Sequence, residues 1–170
     1  MGKLSNRRKK NKRQLLIFVI VLLFVGVAWA QYESWFERRA LVGGHFANPD
    51  GTKSAKFSFE VAHTPDQRSR GLMYRQSMDA DQGMIFVFPY ATKQTFWMRN
   101  TLISLDMLFL DEDLKLVGLL ENVPINNDEK RAVDKDSLYV VELVAGAAKK
   151  QGITVGSVLT LDQKLPDPVK

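Results

Sequence analysis

The 170-residue chain contains no cysteine. That excludes a disulfide frame and thiol chemistry, although it is compatible with an oxidising compartment. Histidine is nearly absent as well. Only His45 and His63 occur, and neither stands at ligand spacing from another metal-binding side chain. A Gly-x-Ser-x-Gly elbow and a glycine-rich phosphate loop are both missing, so serine-nucleophile and nucleotide chemistry have no sequence support. No metal and no cofactor is therefore expected. The most informative lack is local: the first thirty residues hold no acidic side chain.

Those thirty residues carry seven Lys or Arg, all between Lys3 and Arg13. They account for the basic character of the chain. The formal net charge is +5, but the remainder holds 24 − 7 = 17 basic and 19 acidic side chains, a net of −2. A mildly acidic body has little attraction for phosphate backbones, so no nucleic-acid partner is expected. After the cations comes LLIFVIVLLFVGVAWA at 15–30, sixteen residues without a charge. As a helix it spans ~24 Å, somewhat less than a bilayer's hydrocarbon core. Tyr32, Trp35 and Phe36 add an aromatic girdle and the missing length. The cations stay in the cytoplasm, and the chain beyond the apolar run is translocated.

A retained membrane anchor and a signal peptide cut after Ala28-Trp29-Ala30 both fit this pattern. The length of the apolar run favours the anchor. Either way the globular part is expected outside the cytoplasm, periplasmic or extracellular, and secreted if cleavage occurs after Ala30. The expected organisation is a cytoplasmic basic segment at 1–14, the anchor or signal peptide at 15–36, a linker at 37–54 and a globular domain at 55–165. Gly43-Gly44 and the turn-prone Asn48-Pro49-Asp50-Gly51 support the linker.

Within the domain, KFSFEVA at 56–62 alternates apolar and polar residues, which predicts a half-buried strand. Thr64-Pro65-Asp66-Gln67 is a capping box with proline at the first helical position. It predicts a helix over 65–75, with Gly71 as a cost of about 1 kcal/mol inside it. Further strands are predicted at 84–88, 95–98, 105–110, 114–120, 138–144 and 157–161. Asp111-Glu112-Asp113 reads as the tight turn of a hairpin, and AAKKQG at 147–152 as one or two helical turns capped by Gly152. About seven short strands and two short helices predict an α+β, mostly β domain with a bent or barrel-like sheet.

TFWMRNTLISLD at 95–106 mixes six large apolar residues with Arg99, Asn100 and Asp106. Asp106 lies between Leu105 and Met107, where a bare carboxylate costs several kcal/mol unless it is paired or protonated. Arg99, Arg70 and Arg75 are candidate partners. Glu142 sits in VVELV on the face of Leu138, Val140 and Val144, and needs a donor or an exposed edge. Two readings stand side by side. One is a chain corner with one or two ion pairs. The other is a pocket with Trp97 as apolar platform and Arg70, Arg99, Asn100, Asp106 and Glu142 as polar groups for a small polar ligand or a cell-wall saccharide. A scaffold that binds an envelope protein is a further alternative, as is a weak hydrolase using Asp106 and Glu142. Binding without catalysis is the favoured expectation.

Several blocks carry a family resemblance: RGLMYR at 70–75, GMIFVF at 83–88, FWMRNTLISLD at 96–106, VVEL at 140–143 with Ala145-Gly146, and GITVGS at 152–157. Together, over about 56–161, they resemble the domain of unknown function 192 family. The usual pattern has Lys at the position of Arg99 and Pro at that of Ser104; the first difference keeps charge but changes geometry. The resemblance implies a compact, mostly β domain, often exported by bacteria or archaea, with no established activity, substrate or cofactor. The positions matching the family pattern are Arg70, Gly71, Met73, Trp97, Arg99, Asn100, Asp106 and Glu142.

Overall fold

The computed structural model describes residue 14, residues 17–26 and residues 39–170. The chain divides into two units, Met1–Arg38 and Arg39–Lys170. In the first, residues 17–26 are helical. Most of the segment expected as anchor or signal peptide, namely 15, 16 and 27–36, lies outside the described residues. Among the described residues no helix is long and apolar enough to cross a membrane.

The second unit is one mostly β domain. Its strands are β1 (Leu41–Ala47), β2 (Phe57–Ala62), β3 (Gln82–Thr92), β4 (Leu105–Leu110), β5 (Leu116–Val123), β6 (Ser137–Val144) and β7 (Val158–Leu161). Two short helices, α1 (Pro65–Arg70) and α2 (Ala147–Lys150), complete it. The strands form one sheet in the order β5-β4-β6-β3-β2-β1-β7. Only β2 and β3 run parallel, and α1 lies in the crossover that such a pair requires. The sheet curls as a half-barrel until its outer strands meet: Lys115 bridges Val158, and the Leu116 N–H donates to the Ser157 carbonyl at 2.8 Å.

Curling gives the sheet two buried faces. One face packs Phe46, Phe57, Phe59, Ile85, Leu108 and Val141 into the concave core. The other, outer face packs Met84, Phe86, Met107, Phe109 and Val140 beneath Leu72, Phe96 and Met98. This explains why all six residues of β4 are buried and why LDMLFL shows no clean alternation.

Three local expectations need correction. First, the segment read as a linker contains β1, which lies between β2 and β7. Its two glycines are strand residues at a crowded crossing: a Cβ on Gly44 would stand 2.7 Å from the Thr160 carbonyl. Second, residues 95–98 form no strand, and only Phe96 makes an isolated bridge, to Arg131. Third, α1 starts on the expected capping box at Thr64 but stops at Arg70 rather than 75. Gly71 ends it with φ 48° and ψ −131°, a conformation that L side chains avoid. A Cβ there would also press on the Phe86 ring at 3.3 Å. Gly71→Ala is therefore expected to cost about 1–3 kcal/mol, read as a lowered urea midpoint with an unchanged slope.

Candidate functional site

The pleat decides what faces what. Glu60 of β2, Met84 of β3, Glu142 of β6 and Met107 of β4 lie in register, each opposite the next. They occupy the outer face of the sheet. Glu142 is thus on a central strand rather than an edge, only 4% exposed, between two methionines. No hydrogen bond or ion pair joins its carboxyl to another described residue. Burial pushes that carboxyl up from 4.5 to about 8, with the positive charge of Arg39 pulling the other way. At neutral pH the group is mainly a carboxylic acid, able to donate and to accept.

Above Glu142 the domain leaves a cleft of about 530 Å³. Its walls are α1 with the turn after it, β3 at Phe88, and the loop at 95–101, with Lys130 at the mouth and Glu142 in the floor. Among the described residues the cleft lining carries Arg68, Arg70, Lys130 and one acid, Glu142. Arg68 is committed to structure: it donates to the His63, Val87 and Val169 carbonyls and lies over the Phe88 ring. Arg70 ends α1, so helix geometry and the Gly71 stop place it at the cleft.

Beside the cleft lies a compact ionic cluster. Arg39 Nη1 donates to Glu60 Oε2 at 3.4 Å and to the Gly71 carbonyl at 3.1 Å, and contacts the Met84 sulfur at 3.1 Å. Arg75 pairs with the second oxygen of Glu60. Burial lowers the Arg39 guanidinium below its ordinary range; Glu60 opposes this, while the charges of Arg70 and Arg75 reinforce it. Two arginines therefore share Glu60, and neither reaches the Glu142 carboxyl.

The structure places Arg70, Trp97 and Glu142 in the lining of one cleft and leaves the other three expected site residues out of that lining. Trp97 is 44% exposed and lines the cleft. Arg99 turns back over its ring, 4.7 Å from the centroid, and forms a two-pronged pair with Asp128 at 3.0 and 3.2 Å. Asn100 is a corner residue with φ 55°, and its side-chain amide donates to the Tyr74 hydroxyl at 2.9 Å. Neither Arg99 nor Asn100 is part of the cleft lining.

Asp106 is elsewhere. It faces the concave core with Leu143 opposite, whereas Glu142 faces outward with Met107 opposite. The expected arginine partners are not the ones it uses. Its carboxylate accepts from the Asn122 N–H at 2.9 Å and from the Ala148 N–H at 3.0 Å. The first donor belongs to a positive-φ residue in β5, the second to the opening turn of α2. Asp106 is thus a fastener between β4, β5 and α2, and the two carboxyls of the hydrolase alternative point to opposite sides of the sheet. Sequence reasoning missed Arg39, Phe96 and Lys130 as neighbours of Glu142 and the cleft. Arg39 falls in the supposed linker, and Lys130 in a loop without periodicity.

Comparison with known proteins agrees with this architecture. A family model named DUF192, Uncharacterized ACR, matches residues 46–161. A crystal structure from Sinorhizobium meliloti 1021, described as that of a candidate transcription regulator, is similar at 32% identity and a TM-score of 0.70. That alignment covers 72% of this chain and 95% of the other. A protein of unknown function from Novosphingobium aromaticivorans DSM 12444 is similar at 29% identity and a TM-score of 0.67, over 71% of this chain and 84% of the other. No match is found among the curated proteins. With the family model spanning the sheet from β1 to β7, the chain belongs to the DUF192 family of uncharacterised domains.

Proposed function

We propose that this chain is an envelope-exposed, membrane-tethered binding module that takes a small polar ligand, such as a cell-wall saccharide, into the cleft over Glu142. One observation carries the binding part. A carboxyl 4% exposed, joined to no other described residue by hydrogen bond or ion pair, lines an accessible cleft beside Trp97. A buried polar group without a partner costs roughly 1–3 kcal/mol, and a ligand that supplies the partner recovers that cost on binding. The aromatic wall gives the ligand an apolar face to rest on. The tether rests on the seven cations and the uncharged run at 15–30 after them.

Residues 31–170, with 17 basic and 19 acidic side chains, are a poor match to a nucleic-acid backbone. The regulator description of the Sinorhizobium protein is therefore not carried to this chain. Partner binding in an envelope complex is the second reading. It is favoured by exposed Leu102 and Ile125 on loops joined by the Asn126 N–H to Thr101 carbonyl bond at 3.1 Å.

Calorimetric titration of the full chain with a panel of saccharides and organic acids tests the first reading. At least one compound is expected to bind, and Trp97→Ala is expected to weaken it about tenfold, the effect of losing one aromatic contact of roughly 1.4 kcal/mol. Silence across the panel would remove the binding reading. Fractionation of cells tests the tether: the chain should stay with the membrane pellet after a high-salt wash.

A further inference from the structure

We infer that the cleft takes an N-acetylated amino sugar: the Glu142 carboxyl donates to the acetamido carbonyl, the acetyl methyl rests among apolar side chains, and the sugar face lies on Trp97. This rests on the proposed binding role and names the class of saccharide. The lining decides the class. Around the buried Glu142 carboxyl the cleft is walled by Leu72, Met73, Phe88, Phe96 and Trp97. On the sheet itself Met84 and Met107 stand on either side of Glu142. A ligand group that fits such a floor sets one good acceptor in an apolar body and carries no charge. An acetamido group has that form, with a carbonyl to accept and a methyl to bury. A plain hydroxyl has nothing to place against the apolar wall. Trp97, 44% exposed, presents its ring to the C–H face of the sugar.

The groups near Glu142 suit an uncharged head better than a charged one. Arg39, just before β1, bonds Glu60 of β2 and the Gly71 carbonyl, and Arg75, on the turn after α1, bonds Glu60. Arg68 of α1 donates to three carbonyls, and Arg70 beside it has a partner as well. β3 and β4 present the uncharged Met84 and Met107, and Lys130 stands at the mouth. A carboxylate head would thus reach a floor whose described guanidinium groups are already engaged, at the desolvation cost of a buried charge. An ammonium head would require Glu142 to ionise at 4% exposure. An amide requires neither. Burial keeps Glu142 a carboxylic acid up to about pH 8, so its O–H remains to donate. Affinity should be flat through neutral pH and weaken, by up to tenfold per pH unit, once the medium passes the titration of Glu142 in the complex. The volume of about 530 Å³ lies within the roughly 300–1,000 Å³ of small-molecule sites.

Four probes on one sugar ring separate the classes: N-acetylglucosamine, glucose, glucosamine and glucuronate, titrated into the full chain and followed by calorimetry and the Trp97 indole N–H resonance. At pH 6.5 N-acetylglucosamine is expected to bind at least tenfold more tightly than the other three. Glu142→Gln, whose amide still donates to a carbonyl, should retain that preference and lose the weakening at alkaline pH. Glu142→Leu should abolish the preference while the domain stays folded, because an apolar side chain of similar size removes a buried group that lacks a partner. Persistence of the preference in Glu142→Leu would overturn the inference. Equal or tighter binding of glucose, glucosamine or glucuronate would overturn it too, while leaving the cleft as a binding site. So would a response to another compound of the wider panel with none to N-acetylglucosamine. Silence from every compound would overturn both the inference and the binding role.

Discussion

Asp106→Ala is expected to destabilise the full chain by about 4 kcal/mol, the sum of two hydrogen bonds to a charged acceptor at roughly 1.5–3 kcal/mol each. The carboxylate is wholly buried and accepts from the N–H groups of Asn122 and Ala148. Removing it orphans the buried Ala148 donor and the part-buried Asn122 donor and releases two elements at once. Asn122 sits at φ 54°, held there in part by this bond. Ala148 lies in the first turn of α2, whose capping residue Gly146 has no side chain to bond the free N–H groups. Asp106→Asn should cost nearly as much, because its amide places a donor against a donor. Thermal unfolding is expected to drop by about 12 °C or more for Asp106→Ala. A loss under about 1 kcal/mol would show that the carboxylate does not fasten β4 to β5 and α2, and would return Asp106 to the candidate site.

The second large effect concerns pH. In the unfolded chain Glu142 releases its proton near 4.5, and in the folded domain near 8. Between these values the folded state holds a proton that the unfolded state has lost. Stability from this group is therefore fully present below pH 4.5 and declines as pH rises through the window to 8. The gap of 8 − 4.5 corresponds to at most ~5 kcal/mol. Other carboxylates titrate in acid and bend the wild-type curve on their own account, so the comparison must be with Glu142→Gln. The two proteins should converge near pH 4.5 and separate steadily above it, the glutamine variant being the more stable at pH 8 to 9. Urea unfolding at pH 5, 7 and 9 reads this directly. Parallel curves across the three values would contradict a neutral, buried Glu142.

These two acids show how far the amino-acid sequence carries the structure. That both sit among apolar neighbours follows from LDMLFL and VVELV, and alternation correctly pairs Glu142 with Val140 on one face. The partners do not follow. Asp106 is served by backbone N–H groups at 122 and 148, which no side-chain pattern announces. Among the described residues Glu142 has no donor, because Arg39 and Arg75 both turn to Glu60. Most strands were legible from period-two runs. LVGGHFA was not, because paired glycines signal a turn unless one knows that Thr160 and Asp162 crowd the spot where their Cβ atoms would stand. TFWM misled in the opposite sense. Its apolar residues cover the outer core, Phe96 meeting Phe86 and Phe109 edge-to-face, without joining the ladder. Of the clustering of Trp97, Arg99, Asn100 and Asp106 expected from proximity in sequence, only the Arg99–Trp97 contact forms. A tight corner at Asn100 and the pleat of β4 send Asn100 and Asp106 elsewhere.

Carbon-13 NMR of the glutamate side-chain carboxyls in the full chain, titrated from pH 4 to 10 with Glu142→Gln to assign the signal, measures the central group itself. One carboxyl is expected to titrate far above the rest, near pH 8, and to be missing from the variant. A Glu142 signal that changes near pH 4.5 together with the surface acids would mean an ionised, solvated or paired side chain, and the cleft would have no acid floor.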